Sequence, residues 1–135
     1  MDRLTDRIQV ARRAVDSFRE VSGSPFPSTL YRDGAIKRFE LAFETVWKAS
    51  QRYVQDAGRE PAGSPKSCIR ACREDGILNE ADAEAALNMV GDRNLAIHTY
   101  AEPLAVALAG RLAGHAVLLD RWLAALEGRV QKAGG

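Results

Sequence analysis

The sequence predicts an all-α domain, an antiparallel up-and-down bundle of four or five helices. Three observations predict it. Apolar residues recur at three- and four-residue steps through almost every segment, the period of one helix face. No stretch alternates apolar and polar residues as a half-buried strand does. Polar connectors with Gly and Pro punctuate the periodic runs. With 135 residues, the chain suits a single domain, 1–135.

The first helix is expected from about Asp2 to Val21, with Leu4, Ile8, Ala11, Val15 and Phe18 on one stripe. Gly23, Pro25 and Pro27 end it, in the one connector that offers a domain boundary. This helix either packs on the bundle, the favoured expectation, or detaches to grip a partner. A long second helix spans about Tyr31 to Ala57, its inner face built from Ile36, Phe39, Phe43, Val46, Trp47 and Val54, with Gly58 as the stop. Ser64 and Pro65 open a third helix as N-cap and first helical residue. It carries Cys68, Ile69 and Cys72 inward and closes at Gly76. Asn79 caps a fourth helix, whose Ala83, Ala86, Leu87 and Val90 lead towards Arg93. Thr99 and Glu102 have capping-box spacing, so a last helix is expected from Thr99 to about Arg129, with Pro103 in its first turn.

Composition removes several function classes. Hydrophobic residues make up 46% and charged residues 27%, the balance of an ordinary globular protein. The net charge of +1, from 19 basic and 18 acidic residues, excludes polyanion binding by bulk charge, so any nucleic-acid contact needs a local patch. No run reaches the ~18 apolar residues of a membrane span, and the charged start MDRLTDRIQVARR lacks the apolar centre of a secretory signal. No membrane association and a cytoplasmic location are expected. Cys68 and Cys72 read as buried thiols, because a zinc site needs further ligands and the only histidines are His98 and His115. No metal and no cofactor are expected.

The segment from Asp92 to Tyr100 looks chemical, since it gathers Arg93, Asn94, His98 and Tyr100 within eight residues. On an uninterrupted helix Asn94 and His98 share a face, as do Arg93 and Tyr100, while Arg93 and His98 lie ~140° apart. A break near Thr99, the length of arginine, or a twofold contact between two chains would bring the last pair to one phosphate. Such a cleft can cut RNA without metal. Histidine takes the proton of a ribose 2′-hydroxyl as it attacks phosphorus, and histidine protonates the leaving 5′-oxygen. Arg93 would stabilise the pentacoordinate phosphorus, and Asn94 would fix the imidazole tautomer or bind a phosphate oxygen. The plainer alternative has a capped structural histidine, an arginine paired with Asp92 or Glu102, and a packed Tyr100.

Arg93-Asn94-x-x-x-His98-x-Tyr100 matches the R-x4-H-x-Y signature of the higher-eukaryote and prokaryote nucleotide-binding (HEPN) superfamily. More narrowly, the chain resembles the small bacterial nucleotidyltransferase substrate-binding proteins. The likeness runs over about residues 30–126, through Arg38-Phe-Glu40, Phe43-Glu44, Trp47-Lys48, Ser64-Pro65-Lys66 and Asp75-Gly-Ile-Leu78 to the motif. It implies a helical homodimer paired with a separate minimal nucleotidyltransferase in a toxin–antitoxin-like module. It further implies a metal-independent ribonuclease centre with Arg93 and His98 catalytic and Asn94 supporting. Tyr100 would be the residue that the partner adenylylates to silence it. The alternative implied is a non-catalytic subunit that binds a nucleotide or other substrate, and a weaker third is a structural, antitoxin-like scaffold.

Elsewhere, Lys48, Arg52, Lys66, Arg70 and Arg73 form either a basic docking surface or, as favoured, solvated faces balanced by Glu40, Glu44 and Glu74. Trp47 and Trp122 sit on apolar stripes and are expected in a core or dimer contact. His115, without polar companions nearby in sequence, reads as structural. Ala105, Ala109, Ala113 and Ala116 suit either bundle packing or a dimer seam.

Overall fold

A computed structural model describes residues 3–134. Asp2, at the expected start of the first helix, lies outside the described residues. The elements in chain order are α1 (Arg3–Arg19), α2 (Thr29–Asp56), α3 (Pro65–Glu74) and α4 (Glu80–Leu95). A 3-10 turn (Ala96–His98), α5 (Glu102–Ala109) and α6 (Leu112–Gly134) follow. The described residues contain no strand.

Helix α1 packs along α2 and α6, which settles its place in the bundle. All five stripe residues of α1 are buried. Its Phe18 ring lies 5.8 Å from Phe39 of α2, and Phe39 lies 6.4 Å from Phe43. Trp47 and Trp122 are both core residues, in one cluster with Leu119 and Leu123 of α6. Burying each such side chain stabilises the fold by ~1.5–3 kcal/mol. Charged arginines then pin the helices together. Arg12 of α1 reaches Glu127 and Asp120 of α6 at 2.6 Å each, and Arg121 of α6 grips Asp82 of α4 with two bonds of 2.8 Å.

The caps follow the local chemistry. The Ser28 hydroxyl accepts from the Tyr31 amide, and the Asn79 side chain accepts from the Asp82 amide at 2.7 Å. Ser64 and Ser67 form a reciprocal capping box. Gly58 and Gly76 adopt φ of 82° and 78°, the left-handed conformation that stops α2 and α3.

Two expectations fail near the C-terminal half. Thr99 is not a helix cap. It continues the 3-10 turn with φ −67° and ψ −15°, and Ala101 takes the N-cap position without a side-chain bond. Glu102 is unavailable for a capping box because Arg32 holds its carboxylate at 2.7 and 3.1 Å. The single last helix is instead two, bent by 49°. At the break the Arg111 amide bonds to Leu108 rather than to the residue four back, while its guanidinium is drawn onto Asp92. Gly110, a poor helix former, sits at that bend. The described residues therefore form a helical bundle as expected, with six helices where four or five were counted from the sequence. Ala105, Ala109 and Ala116 face the core of one chain, and only Ala113 of that series is exposed. No single described helix is long and apolar enough to cross a membrane.

Cys68 and Cys72 are fully buried. The Cys68 thiol donates to the Trp47 carbonyl at 3.5 Å, and the adjoining Cys72 together with burial pushes its pKa far above the ordinary thiol range. A chromogenic disulfide reagent is expected to label neither cysteine in the native protein and both after denaturation. Rapid native labelling would contradict this packing.

Candidate functional site

The site is built on the end of α4. Its buried residues Ala83, Ala86, Met89 and Val90 hold the helix in the bundle, and Asp92 anchors the last turn. Asp92 is 8% exposed, yet Arg111 donates to it through two nitrogens at 2.7 Å and His115 Nε2 meets it at 2.6 Å. The His115 ring stacks on Phe39 at 5.1 Å, so the polar knot is pressed onto the core. Burial pushes the Asp92 carboxyl up, but the bonds from Arg111 and His115 outweigh it and hold the group below the ordinary carboxylate range.

Arg93, one residue on, faces the other way. Its Nη2 donates to Glu44 Oε2 of α2 at 3.1 Å, and its Nη1 donates to Asn94 Oδ1 at 3.3 Å. The guanidinium carbon lies 5.9 Å from the centre of the Phe43 ring. The same Glu44 oxygen also accepts the indole N–H of Trp47 at 3.1 Å. A half-exposed pair of this kind contributes only ~0–1 kcal/mol to folding, so its value is geometrical. Beside it runs an open groove of about 390 Å³ lined by Lys37, Glu40, Leu41, Glu44 and Arg93.

The 3-10 turn then changes the helical pitch and delivers His98 and Tyr100 as a pair. His98 Nδ1 and the Tyr100 hydroxyl are 3.0 Å apart, with rings edge to face at 5.6 Å. Tyr100 is 83% exposed, which rules out the packed-tyrosine alternative. Among the described residues no hydrogen bond or ring contact joins Arg93 to His98. Within one chain the motif is thus split, Arg93 pairing with Glu44 outside the motif and with Asn94, and His98 pairing with Tyr100. Chemically, the Arg93 half presents a fixed cation to an anion. The His98 half places an imidazole where it can take a proton from the phenol or, through the other ring nitrogen, from a bound group.

Several partners differ from those the sequence suggested. Arg93 pairs with Glu44, not with Asp92 or Glu102. Asn94 meets Arg93, and it is Tyr100 that meets the imidazole. His115 has two polar companions, Asp92, 23 positions earlier, and, through it, Arg111, four positions earlier and one helical turn away. Glu44 stood out only as part of Phe43-Glu44 in the family likeness and as one of the acids balancing the basic faces, not as a partner of Arg93, and Arg111 carried no signal. Of the basic residues near α2 and α3, Arg52 pairs with Asp56, Arg73 with Glu80, and Lys48 lies over the Trp47 ring. Two of the five are thus ion-paired, with acids other than the Glu40, Glu44 and Glu74 that the sequence suggested. Among the described residues no cluster of His, Cys, Asp or Glu is arranged to hold a metal ion.

Comparison with known proteins extends these observations. A solved structure of a Thermus thermophilus protein is 43% identical, covers 84% of this chain and 96% of its own, and superposes with a TM-score of 0.80. The MntA–HpeT toxin–antitoxin structure matches at 14% identity over 93% of this chain and 97% of that one, with a TM-score of 0.77. A tri-AMPylated Shewanella oneidensis HEPN toxin, solved in complex with an MNT antitoxin, matches at 16% identity over 95% and 99%, with a TM-score of 0.76. The last two show a shared fold. No curated protein matches. The family model described as nucleotidyltransferase substrate binding protein like matches residues 6–128, and so takes in α1, which lay outside the sequence likeness. The chain belongs to the nucleotidyltransferase substrate-binding-protein-like family, on a bundle of the kind found in HEPN toxins.

Proposed function

We propose that the chain is the HEPN subunit of a toxin–antitoxin-like pair, a cytoplasmic homodimer that cleaves RNA without metal and is silenced by a separate minimal nucleotidyltransferase. Arg93 and His98 are the catalytic residues, Asn94 supports Arg93, and Tyr100 accepts the adenylyl group. The observation that carries this reading is the surface placement of the whole motif, with the Tyr100 hydroxyl 3.0 Å from His98 and free to meet a partner. A group added to Tyr100 stands directly against the imidazole that would move protons during cleavage.

A twofold contact completes the centre. Ile97, Tyr100 and Leu104 expose apolar surface around the motif, and Leu41 does so in the groove beside Arg93. A second copy seated there would cover that surface and set the two motifs against each other. Arg93 of one chain and His98 of the other can then serve one phosphate.

The test is RNA cleavage by purified, unmodified protein in excess chelator, wild type beside His98→Ala. The variant is expected to lose about 10²–10⁴-fold in rate at unchanged helicity, and the wild-type products are expected to end in cyclic phosphate. Cleavage that persisted in the variant would remove His98 from the mechanism. Absence of cleavage by either protein would favour the second reading, a non-catalytic subunit that binds nucleotide through Arg93. The family description and the open groove beside Arg93 favour that reading over a purely structural one.

A further inference from the structure

We propose that Glu44 is a positioning residue for Arg93, a fixed carboxylate that sets the direction from which the guanidinium meets phosphate. The inference rests on the reading of Arg93 as the phosphate-facing residue of an RNA-cleaving centre. It starts from the difference between the two partners of one oxygen. Glu44 Oε2 accepts from the Trp47 indole N–H at 3.1 Å and from Arg93 Nη2 at 3.1 Å.

Trp47 is 4% exposed, one helical turn beyond Glu44 on α2, and its ring is locked in the core. Its N–H therefore fixes the carboxylate without help from Arg93. Arg93 comes from α4, 49 positions away, on a long side chain with several free torsions. Bonded to an oxygen that the indole already holds, and lying beside the Phe43 ring, the guanidinium is restrained before any ligand arrives. Transition-state stabilisation by a cation depends on such preorganisation, because a donor that must first find its place contributes less. Only Nη2 is committed to Glu44, and Nη1 makes a long bond to Asn94. Donor capacity remains for a phosphate entering the groove, where Lys37 supplies a second positive charge and Glu40 a second carboxylate.

A carboxylate beside a phosphate-binding arginine would also be expected to repel the phosphate. If repulsion dominated, removing the charge would raise activity. If orientation dominates, as the Trp47 anchor argues, removing it slows the chemical step and leaves substrate binding nearly intact.

The experiment measures kcat and KM for a short RNA with wild type, Glu44→Gln, Glu44→Ala, Arg93→Ala and the Glu44→Ala/Arg93→Ala double variant. Glu44→Gln keeps an acceptor for the indole, so it separates loss of charge from loss of the Trp47 bond. The expected result is a fall in kcat of about 100-fold for Glu44→Ala, of the order that small misplacements of catalytic groups cause. KM should change less than about threefold, and Glu44→Gln should recover part of the rate. In the Arg93→Ala background the same Glu44→Ala change is expected to cost almost nothing, since the residue it positions is gone. Equal losses in both backgrounds, a rise in activity, or an unchanged rate would overturn the proposal. If the wild type does not cleave RNA, the nuclease reading fails by itself. The Arg93 Nε–H signal in NMR then decides the positioning claim, being ordered in wild type and averaged in Glu44→Ala if it holds, and alike in both if it does not.

Discussion

Mixed with ATP, magnesium and a nucleotidyltransferase partner, the Tyr100→Phe protein is expected to gain no mass, whereas the wild type gains whole adenylyl groups. The phenol oxygen attacks the α-phosphorus of ATP, a new oxygen–phosphorus bond forms, and pyrophosphate leaves. Phenylalanine keeps the ring and its edge-to-face contact with His98 but has no oxygen to attack with. RNA cleavage should divide the two proteins in the same way. Wild-type cleavage falls as modification proceeds, while the Tyr100→Phe rate is indifferent to partner and ATP. The predicted difference is all or none, because Tyr100 is the motif's only phenol and stands 83% exposed. Mass gain at full stoichiometry in Tyr100→Phe, with silencing, would assign the acceptor to another residue.

The second large effect concerns folding. Asp92→Ala is expected to destabilise the protein by about 2–4 kcal/mol. Breaking a buried charge pair costs ~3–5 kcal/mol, and the half-exposed Arg111 partner recovers some hydration. For a domain of this length that corresponds to a fall in Tm on the order of 10 °C, readable by calorimetry. A pH series adds a signed test. The Asp92 carboxyl is held below its ordinary range, so its contribution is fully present above the unfolded-state pKa and is lost as pH falls through the folded-state value. Wild type should therefore lose stability in acid with a slope that Asp92→Asn lacks in the same window. Parallel acid limbs would show that Asp92 is not ionised in the fold.

These two residues mark the boundary of what a sequence can carry. Helix positions were legible because the stripes on α1 and α2 repeat at helical period, and a period is a property of neighbours along the chain. The caps at Ser64 and Asn79 were legible for the same reason. The Thr99 cap failed because its acid was claimed by Arg32, 70 positions away. The last helix failed because Arg111 turns to meet Asp92. In both cases a distant charge overrode a correct local pattern. At the site, Arg93, Asn94, His98 and Tyr100 could be named from one short string. Their pairing could not, since it depends on where the 3-10 turn interrupts the helix and on what α2 lays beside α4. Glu44 becomes an anchor only when Trp47 and Arg93 are seen to share one of its oxygens.

The exposure of Tyr100 bears on how inhibition scales with the amount of inhibitor. An antitoxin that acts by covering a cleft must be present at least one for one with the toxin, and protection ends when it dissociates or is degraded. A side chain that already stands in solvent can be written on by an enzyme that binds, transfers and departs. One partner molecule then disarms many chains, and the mark outlasts the encounter because a phosphodiester on a phenol does not fall off on its own. If Tyr100 is the acceptor, as proposed, the state of the pair depends on the history of contact between the two proteins as well as on their present ratio.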